Sequence, residues 1–295
     1  MKALPSIAGS CLAAAVLWLL HFLPRSWLLA LGRAAGRLLY RFGRGRVTDV
    51  NLRLCFPEQT EAERRDLARR HFEALGESAM DMTLVWFASE RRVLGLSHVV
   101  GGGHMDRLRG KPFIIFAPHF LGLEIGGARL SHDYPGGTTM YSRQRNPVLN
   151  HFMLRGRQRF GSPRLLSRQD GIRGIVRALR SGSCLYILPD MDFGPRDAIF
   201  SPLFGVPAAT VTALPRIAKL AGVPVLPVVC RRAGSHYEIR VYPPWENYPT
   251  DDVEADVRRM NAFIEDRIRE TPEQYFWAHK RFKTRPPGEP SPYRR

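Results

Sequence analysis

The run Pro112-Phe113-Ile114-Ile115-Phe116-Ala117-Pro118 passes directly into His119-Phe120-Leu121-Gly122-Leu123-Glu124. A short apolar stretch closed by proline predicts a buried strand, and residues 120–131 predict the helix that follows it. Gly122, Gly126 and Gly127 would let that helix pack closely. An imidazole and a carboxylate therefore stand five positions apart where a strand ends. On one helix they would point about 140° apart, because the period is 3.6 residues. With His119 on the turn and Glu124 in the first turns of the helix, the carboxylate can reach back to one ring nitrogen. The other nitrogen is then free to take a proton from a hydroxyl, which is base-and-orienter chemistry without a serine nucleophile.

Outward from this junction the pattern alternates between strands and helices. Thr60-x-x-Glu63 is a capping box, and Leu67, Phe72, Leu75, Ala79, Met82 and Trp86 follow at helical spacing as a core stripe, so a helix is expected to about Phe87. Residues 170–181 predict a short helix capped by Asp170, with Ile172, Ile175, Val176 and Leu179 inward. Cys184 to Leu188 predicts a second buried strand that ends in Pro189-Asp190. Ala208 to Leu220 reads as helical despite Pro215, followed by strands Val223–Cys230 and Tyr237–Tyr242. Asp251 to Arg269 reads as an amphipathic helix carrying Val257, Met260, Ile264 and Ile268. The fold class expected is α/β, a single mixed, largely parallel sheet flanked by helices, with active residues at strand C-terminal ends.

The chain has 295 residues and is 44% hydrophobic, enough for one large α/β domain with a small N-terminal appendage. Lys and Arg number 44 against 27 Asp and Glu, a net charge of +17 carried almost entirely by arginine. Such a balance implies an anionic partner. Cys11, Cys55, Cys184 and Cys230 are scattered without metal-binding spacing and read as reduced apolar filler. Leu4 to Leu23 is nearly free of polar side chains, and about 20 such residues suffice to cross a bilayer. Residues 1–24 are accordingly expected to be a single N-terminal transmembrane helix. A cleaved signal peptide fits less well, since the apolar run continues past Ala13-Ala14-Ala15. Residues 25–58 read as a basic amphipathic segment in the headgroup zone, with Arg33, Arg37 and Arg41 four residues apart beside Trp27 and leucines. The cluster ends in Arg44 and Arg46, which places residues 59–287, the α/β domain, on the cytoplasmic side. Residues 288–295 read as a flexible tail.

Three further segments carry a resemblance. They are Tyr141-Ser142-Arg143-Gln144-Arg145-Asn146-Pro147 with Arg155-Gly156-Arg157-Gln158-Arg159; Leu188-Pro189-Asp190-Met191-Asp192-Phe193-Gly194 leading to Phe204-Gly205; and Pro272-Glu273-Gln274-Tyr275-Phe276-Trp277-Ala278-His279-Lys280-Arg281-Phe282. With Asn51-Leu52-Arg53-Leu54-Cys55-Phe56-Pro57 and the His119/Glu124 pair, the chain from about residue 10 to 287 resembles the late (secondary) lipid A biosynthesis acyltransferases, the lauroyl and myristoyl transferases of Gram-negative bacteria.

That resemblance implies a glycerolipid-acyltransferase-like fold in a single-pass protein of the bacterial inner membrane. The implied reaction moves a chain of C12–C14 type from acyl carrier protein to a hydroxyl of an acyl chain on a lipid A precursor. His119 is then the general base and Glu124 its orienter, with no metal and no organic cofactor. Arg157 and Arg159 lie where the family carries its essential arginine, serving an oxyanion or a substrate phosphate. Arg143 is a candidate phosphate contact, and Asp190 could hold an arginine or His119. Acyl carrier protein, the lipid A precursor and anionic membrane lipids are the implied partners. Nucleic acid is disfavoured, because the arginines adjoin the apolar anchor and no reading motif is present. A serine esterase is removed by the lack of G-x-S-x-G. The alternatives are an acyltransferase for another membrane glycolipid or aminolipid, and a non-catalytic lipid-binding protein.

Overall fold

The computed structural model describes residues 7–141, 143–167 and 171–294. In chain order the strands are β1 (Ser97–Val100), β2 (Ile114–Phe116), β3 (Thr138–Tyr141), β4 (Arg164–Ser167), β5 (Leu185–Ile187), β6 (Ala198–Leu203), β7 (Val206–Val211), β8 (Val225–Ala233) and β9 (His236–Val241). The helices are α1 (Ile7–Leu20), α2 (Arg25–Leu39), α3 (Arg46–Cys55), α4 (Glu61–Phe87), α5 (Glu90–Leu94), α6 (Gly103–Asp106), α7 (Leu123–Asp133), α8 (Pro147–Gln158), α9 (Gly171–Arg180), α10 (Ala213–Ala221) and α11 (Val253–Glu270). The main sheet has the order β1-β9-β8-β2-β5-β3-β4. Its neighbours run parallel except β8 and β9, which form an antiparallel pair.

Strands buried on both faces explain the unbroken apolar runs. Ile114 and Phe116 point into a core shared with α9, α10 and α11, while Ile115 points into a second core beside α4, α5 and α7. From β2 the chain crosses through α7 to β3, on one side of the sheet centre; from β5 it returns through α10 to β8, on the other. The β2/β5 boundary is thus the point where strand order reverses, and in open α/β sheets ligands bind in the crevice beyond it.

The α/β sheet flanked by helices stands, but the N-terminal transmembrane helix does not. Helix α1 has 14 residues, and among the described residues no helix is long and apolar enough to cross a membrane. At 1.5 Å per residue it extends about 21 Å, short of the roughly 30 Å hydrocarbon layer. The first part of the expected span, Leu4 to Ser6, lies outside the described residues. Its other end is pulled out of the helix: Arg92 donates to the carbonyls of His21 and of Leu23 (2.7 Å), and His21 is buried there.

Helix α2 reverses its expected orientation. Arg25 pairs with Asp81 (2.8 Å), Arg33 with Glu77 (2.6 Å) and Arg37 with Glu73 (2.7 Å), so its cations face α4. Trp27, Leu31, Leu38 and Leu39 point outward instead, continuous with exposed Phe42 beyond the helix. The two backbones come close because glycines meet: a Cβ on Gly32 would lie 2.6 Å from the carbonyl oxygen of Gly76.

Helix α4 begins with both halves of its capping box and ends at Phe87, as expected. Its stripe is less uniformly core than the spacing suggests. Leu67, Phe72 and Trp86 are buried, Leu75 and Met82 half-buried, and Ala79 exposed. Enclosed by α2 on one side and the sheet on another, α4 buries His71, Glu77 and Asp81 as well. Ala208 to Val211 is strand, not helix. Phe204 (φ 52°) and Gly205 (φ 73°) form a tight turn that pairs β6 with β7 as a separate two-stranded hairpin, the sheet beyond the single one expected. Helix α10 starts only after it, and Pro215 sits in the first turn, where a missing N–H costs nothing. In α9, Ile175 and Leu179 are buried while Ile172 is exposed; the Asp170 cap falls outside the described residues. Helix α11 buries all four of its expected core residues.

His71 sets an acid limit on stability. Its Nδ1–H donates to the Glu273 carbonyl (3.0 Å), and burial pulls its pKa from 6.5 to about 4. Between those values the unfolded ring binds a proton that the folded ring refuses. The stability it protects is therefore complete above pH 6.5 and falls as the pH drops toward 4, by about 3 kcal/mol. Urea midpoints at pH 7 and pH 5 should show the loss, reduced in His71→Leu. An equal loss in that variant would show that another group is responsible.

Candidate active site

Parallel pairing builds the site. Phe116 of β2 stands opposite Ile187 of β5, and each strand continues through one residue and a proline to its functional side chain: Ala117-Pro118-His119 and Leu188-Pro189-Asp190. Equal offsets from paired residues bring His119 beside Asp190 at the reversal point of the sheet. The His119 Nδ1–H donates to Asp190 Oδ1 (2.6 Å), and the His119 backbone N–H donates to Oδ2 (2.8 Å). The Tyr275 hydroxyl also donates to Oδ2 (3.1 Å). Burial pushes the Asp190 carboxyl upward, but the charge and hydrogen bonds of His119, with the Arg281 guanidinium, hold it below the usual carboxylate range. The hydroxyl of Tyr275 is raised far above its ordinary range by burial and by the Asp190 charge.

Glu124 takes a different partner from the one its spacing suggests. Projecting from the first turn of α7, it accepts a two-pronged contact from Arg157 of α8, Nε to Oε2 at 3.2 Å and Nη2 to Oε1 at 2.5 Å. The carboxylate charge raises the pKa of Arg157 despite burial. Among the described residues no hydrogen bond joins Glu124 to His119, and none reaches His119 Nε2.

The His119 ring, Glu124 and Arg157 line one cavity of about 960 Å³. Its walls are largely apolar and come from α7, β3, α8, α9 and the start of α10. The C-terminal segment fixes the His119 loop from behind: Phe276 N–H donates to the His119 carbonyl (2.9 Å) and Leu121 N–H to the Gln274 carbonyl (2.8 Å). Trp277 and Phe282 are fully buried, so this block is core and clamp. An imidazole fixed by a buried carboxylate, with a free nitrogen at an apolar cavity, can deprotonate a hydroxyl next to a lipid chain.

Comparison with known proteins identifies the lineage. The family described as bacterial lipid A biosynthesis acyltransferase matches residues 2–284. The chain belongs to that family. It is 37% identical over 285 residues to the lipid A biosynthesis lauroyltransferase of Escherichia coli K12, covering 94% of this chain and 92% of the relative. Identity to that organism's lipid A biosynthesis palmitoleoyltransferase is 34%, with the same coverage, and to its myristoyltransferase 32%, covering 91% and 83%.

Within this lipid A acyltransferase the remaining candidates separate. Arg159 donates to the carbonyls of Val85 (2.5 Å) and Ala88 at the C-terminal end of α4, and does not line the cavity. Arg143 lies with Arg145, His151 and Arg155 on an adjoining cleft, which shares Gln144 with the main cavity. Asp192, which the sequence does not single out, is buried and receives Gly194 N–H (2.9 Å) and Thr284 N–H (2.8 Å), tying the Asp190 loop to the C-terminal segment. The signal for both loops is the shared strand–x–Pro–polar pattern at residues 117–119 and 188–190.

Proposed function

We propose that this lipid A acyltransferase moves a C12–C14 acyl chain from acyl carrier protein to a hydroxyl of an acyl chain on a lipid A precursor, with His119 as base. The His119–Asp190 pair at the mouth of a largely apolar cavity carries this reading. Nε2 takes the hydroxyl proton as the oxygen attacks the thioester carbonyl. The tetrahedral intermediate then collapses, the C–S bond breaks, and the departing thiolate takes the proton back from His119. Asp190 holds the ring with Nδ1 protonated and steadies its cationic form. Glu124 holds Arg157, whose remaining N–H groups serve the oxyanion. A thioester is reactive enough to need no further cofactor.

The outward apolar residues of α1 and α2 support a seat on the membrane surface. Ile7, Leu12, Trp18, Leu19 and Phe22 of the first stretch adjoin Trp27, Leu31 and Phe42 of the second, all exposed. Because Arg25, Arg33 and Arg37 are occupied by α4, attachment is mainly apolar and should survive salt that screens surface charge. Cosedimentation with anionic vesicles should persist in high salt and weaken in Trp27→Glu combined with Phe42→Glu. Complete release by salt from the wild type would reverse this assignment.

The function is tested by incubating the purified protein with acyl-loaded carrier protein and lipid A precursor, then weighing the lipid by mass spectrometry. One added acyl ester is expected; no mass gain with any saturated donor would refute the proposal.

A further inference from the structure

Helix α9 carries a charged face that packing does not explain. Ile175, Ala178 and Leu179 are buried on one side, while Arg173, Arg177 and Arg180 stand exposed on the other at positions i, i+4 and i+7. Like charges at this spacing repel, and Arg173 sits in the first turn, where the helix dipole disfavours a cation. That turn holds no acidic residue to offset it. Arg180 has a structural contact, from Nη2 to the Leu220 carbonyl (3.3 Å) at the end of α10. Among the described residues Arg173 and Arg177 have no hydrogen-bond or ion-pair partner for their side chains. The fold loses helix stability to these two charges and gains no contact from them.

The face belongs to a ridge that opens on the cavity. α10 lies beside α9: Gly171 and Ile172 at the start of α9 and Arg216 in the first turn of α10 line the cavity, and the far ends of the two helices meet through the Arg180 contact. Arg196, its side chain 96% exposed, lines the cavity too, so the ridge reaches its mouth. Asp197 stands between Arg196 (3.9 Å) and Arg216 (3.8 Å), and the exposed Lys219 pairs with Asp251 (2.6 Å). The α9 arginines remain uncompensated, and the ridge is positive.

This ridge is across the sheet from the outward apolar residues of α1 and α2. Leu20 and Leu28 of those helices pack into the core beside α7, whereas Ile175 of α9 and Ile217 of α10 pack into the core on the opposite face. The cleft with Arg143 and Arg155 stays on the α1 side, where Asn146 Nδ2 donates to Ser10 Oγ (2.7 Å). A lipid held at the α1 and α2 surface and a protein arriving from water would reach one cavity from different sides.

We propose that the α9–α10 ridge is the docking surface for the donor protein. An acidic, water-soluble carrier of the acyl thioester seats on Arg173, Arg177, Arg196 and Arg216 and delivers its chain into the cavity mouth beside them. This rests on the acyl-transfer reading above and adds to it the surface that receives the carrier. Exposed arginines with no internal carboxylate to give up keep their field for an acidic partner, which raises the rate of encounter at low salt.

The test compares Arg173→Glu combined with Arg177→Glu against the wild type, both as full chains. Lauroyl-loaded acyl carrier protein is the donor and a lipid A precursor the acceptor. A glutamate at position 173 suits the helix dipole, so the variant should fold, as circular dichroism checks. At low ionic strength the donor KM should rise about tenfold or more, with kcat and the acceptor KM within about twofold of wild type. Added salt should weaken the wild type and bring the two proteins together. Should the reversal fail to fold, Arg173→Gln with Arg177→Gln takes its place with a smaller rise. A donor KM equal to that of the wild type overturns the docking assignment. An acceptor KM that rises in its place, or a loss of vesicle cosedimentation, overturns it as well and makes the ridge a lipid-facing surface. A wild type that transfers no acyl group would instead refute the acyl-transfer reading itself.

Discussion

His119→Ala is expected to reduce kcat by about two to four orders of magnitude, the usual contribution of a positioned general base. The ring lines the cavity with Nε2 free, and among the described residues no other imidazole lines it. The substitution also removes the donor at 2.6 Å from the buried Asp190 carboxylate, so some loss of stability is expected. His119→Gln separates the two effects, because its amide can still donate to Asp190 but cannot act as a base at neutral pH. It should fold like the wild type, judged by circular dichroism, and remain as inactive as the alanine variant. Activity in His119→Gln within tenfold of wild type would remove the base from the mechanism.

Asp190→Asn should lower kcat by a comparable factor while leaving the acceptor KM nearly unchanged, since Asp190 touches His119 and not the cavity. An asparagine offers one acceptor where the carboxylate accepts from Nδ1, the His119 N–H and the Tyr275 hydroxyl. Its amide can also turn a donor toward Nδ1, which would favour the wrong tautomer. Steady-state kinetics check this, and Asp190→Glu should recover less than full activity because the longer arm disturbs the paired loops. A raised KM at unchanged kcat would make Asp190 a binding group instead.

Much of this site was legible in the residues. The apolar runs at 112–118 and 184–188 gave strands, and their shared proline-then-polar endings pointed to His119 and Asp190. Which carboxylate meets the imidazole was not legible. Glu124 is near in sequence, but Asp190, 71 residues away, is brought in by the parallel register of β2 against β5, a non-local pairing that no spacing encodes. Helix α2 shows the same limit. Its arginines read as a headgroup-facing stripe until they meet Glu73, Glu77 and Asp81, four residues apart on the antiparallel α4. Those acidic residues were a visible complementary signal. Ala208 to Val211 reads as the start of a helix because its alanines and valine fit either period, and only the Phe204-Gly205 turn commits the stretch to a hairpin.

The account depends most on the partner of the His119 ring. Nitrogen NMR of the protein labelled at histidine, compared with Asp190→Asn and Glu124→Gln, reads that partner directly. The expected result is a wild-type His119 carrying its proton on Nδ1, with that N–H signal lost or shifted in Asp190→Asn and kept in Glu124→Gln. A signal kept in Asp190→Asn and lost in Glu124→Gln would contradict the account and make Glu124 the residue that orients the base.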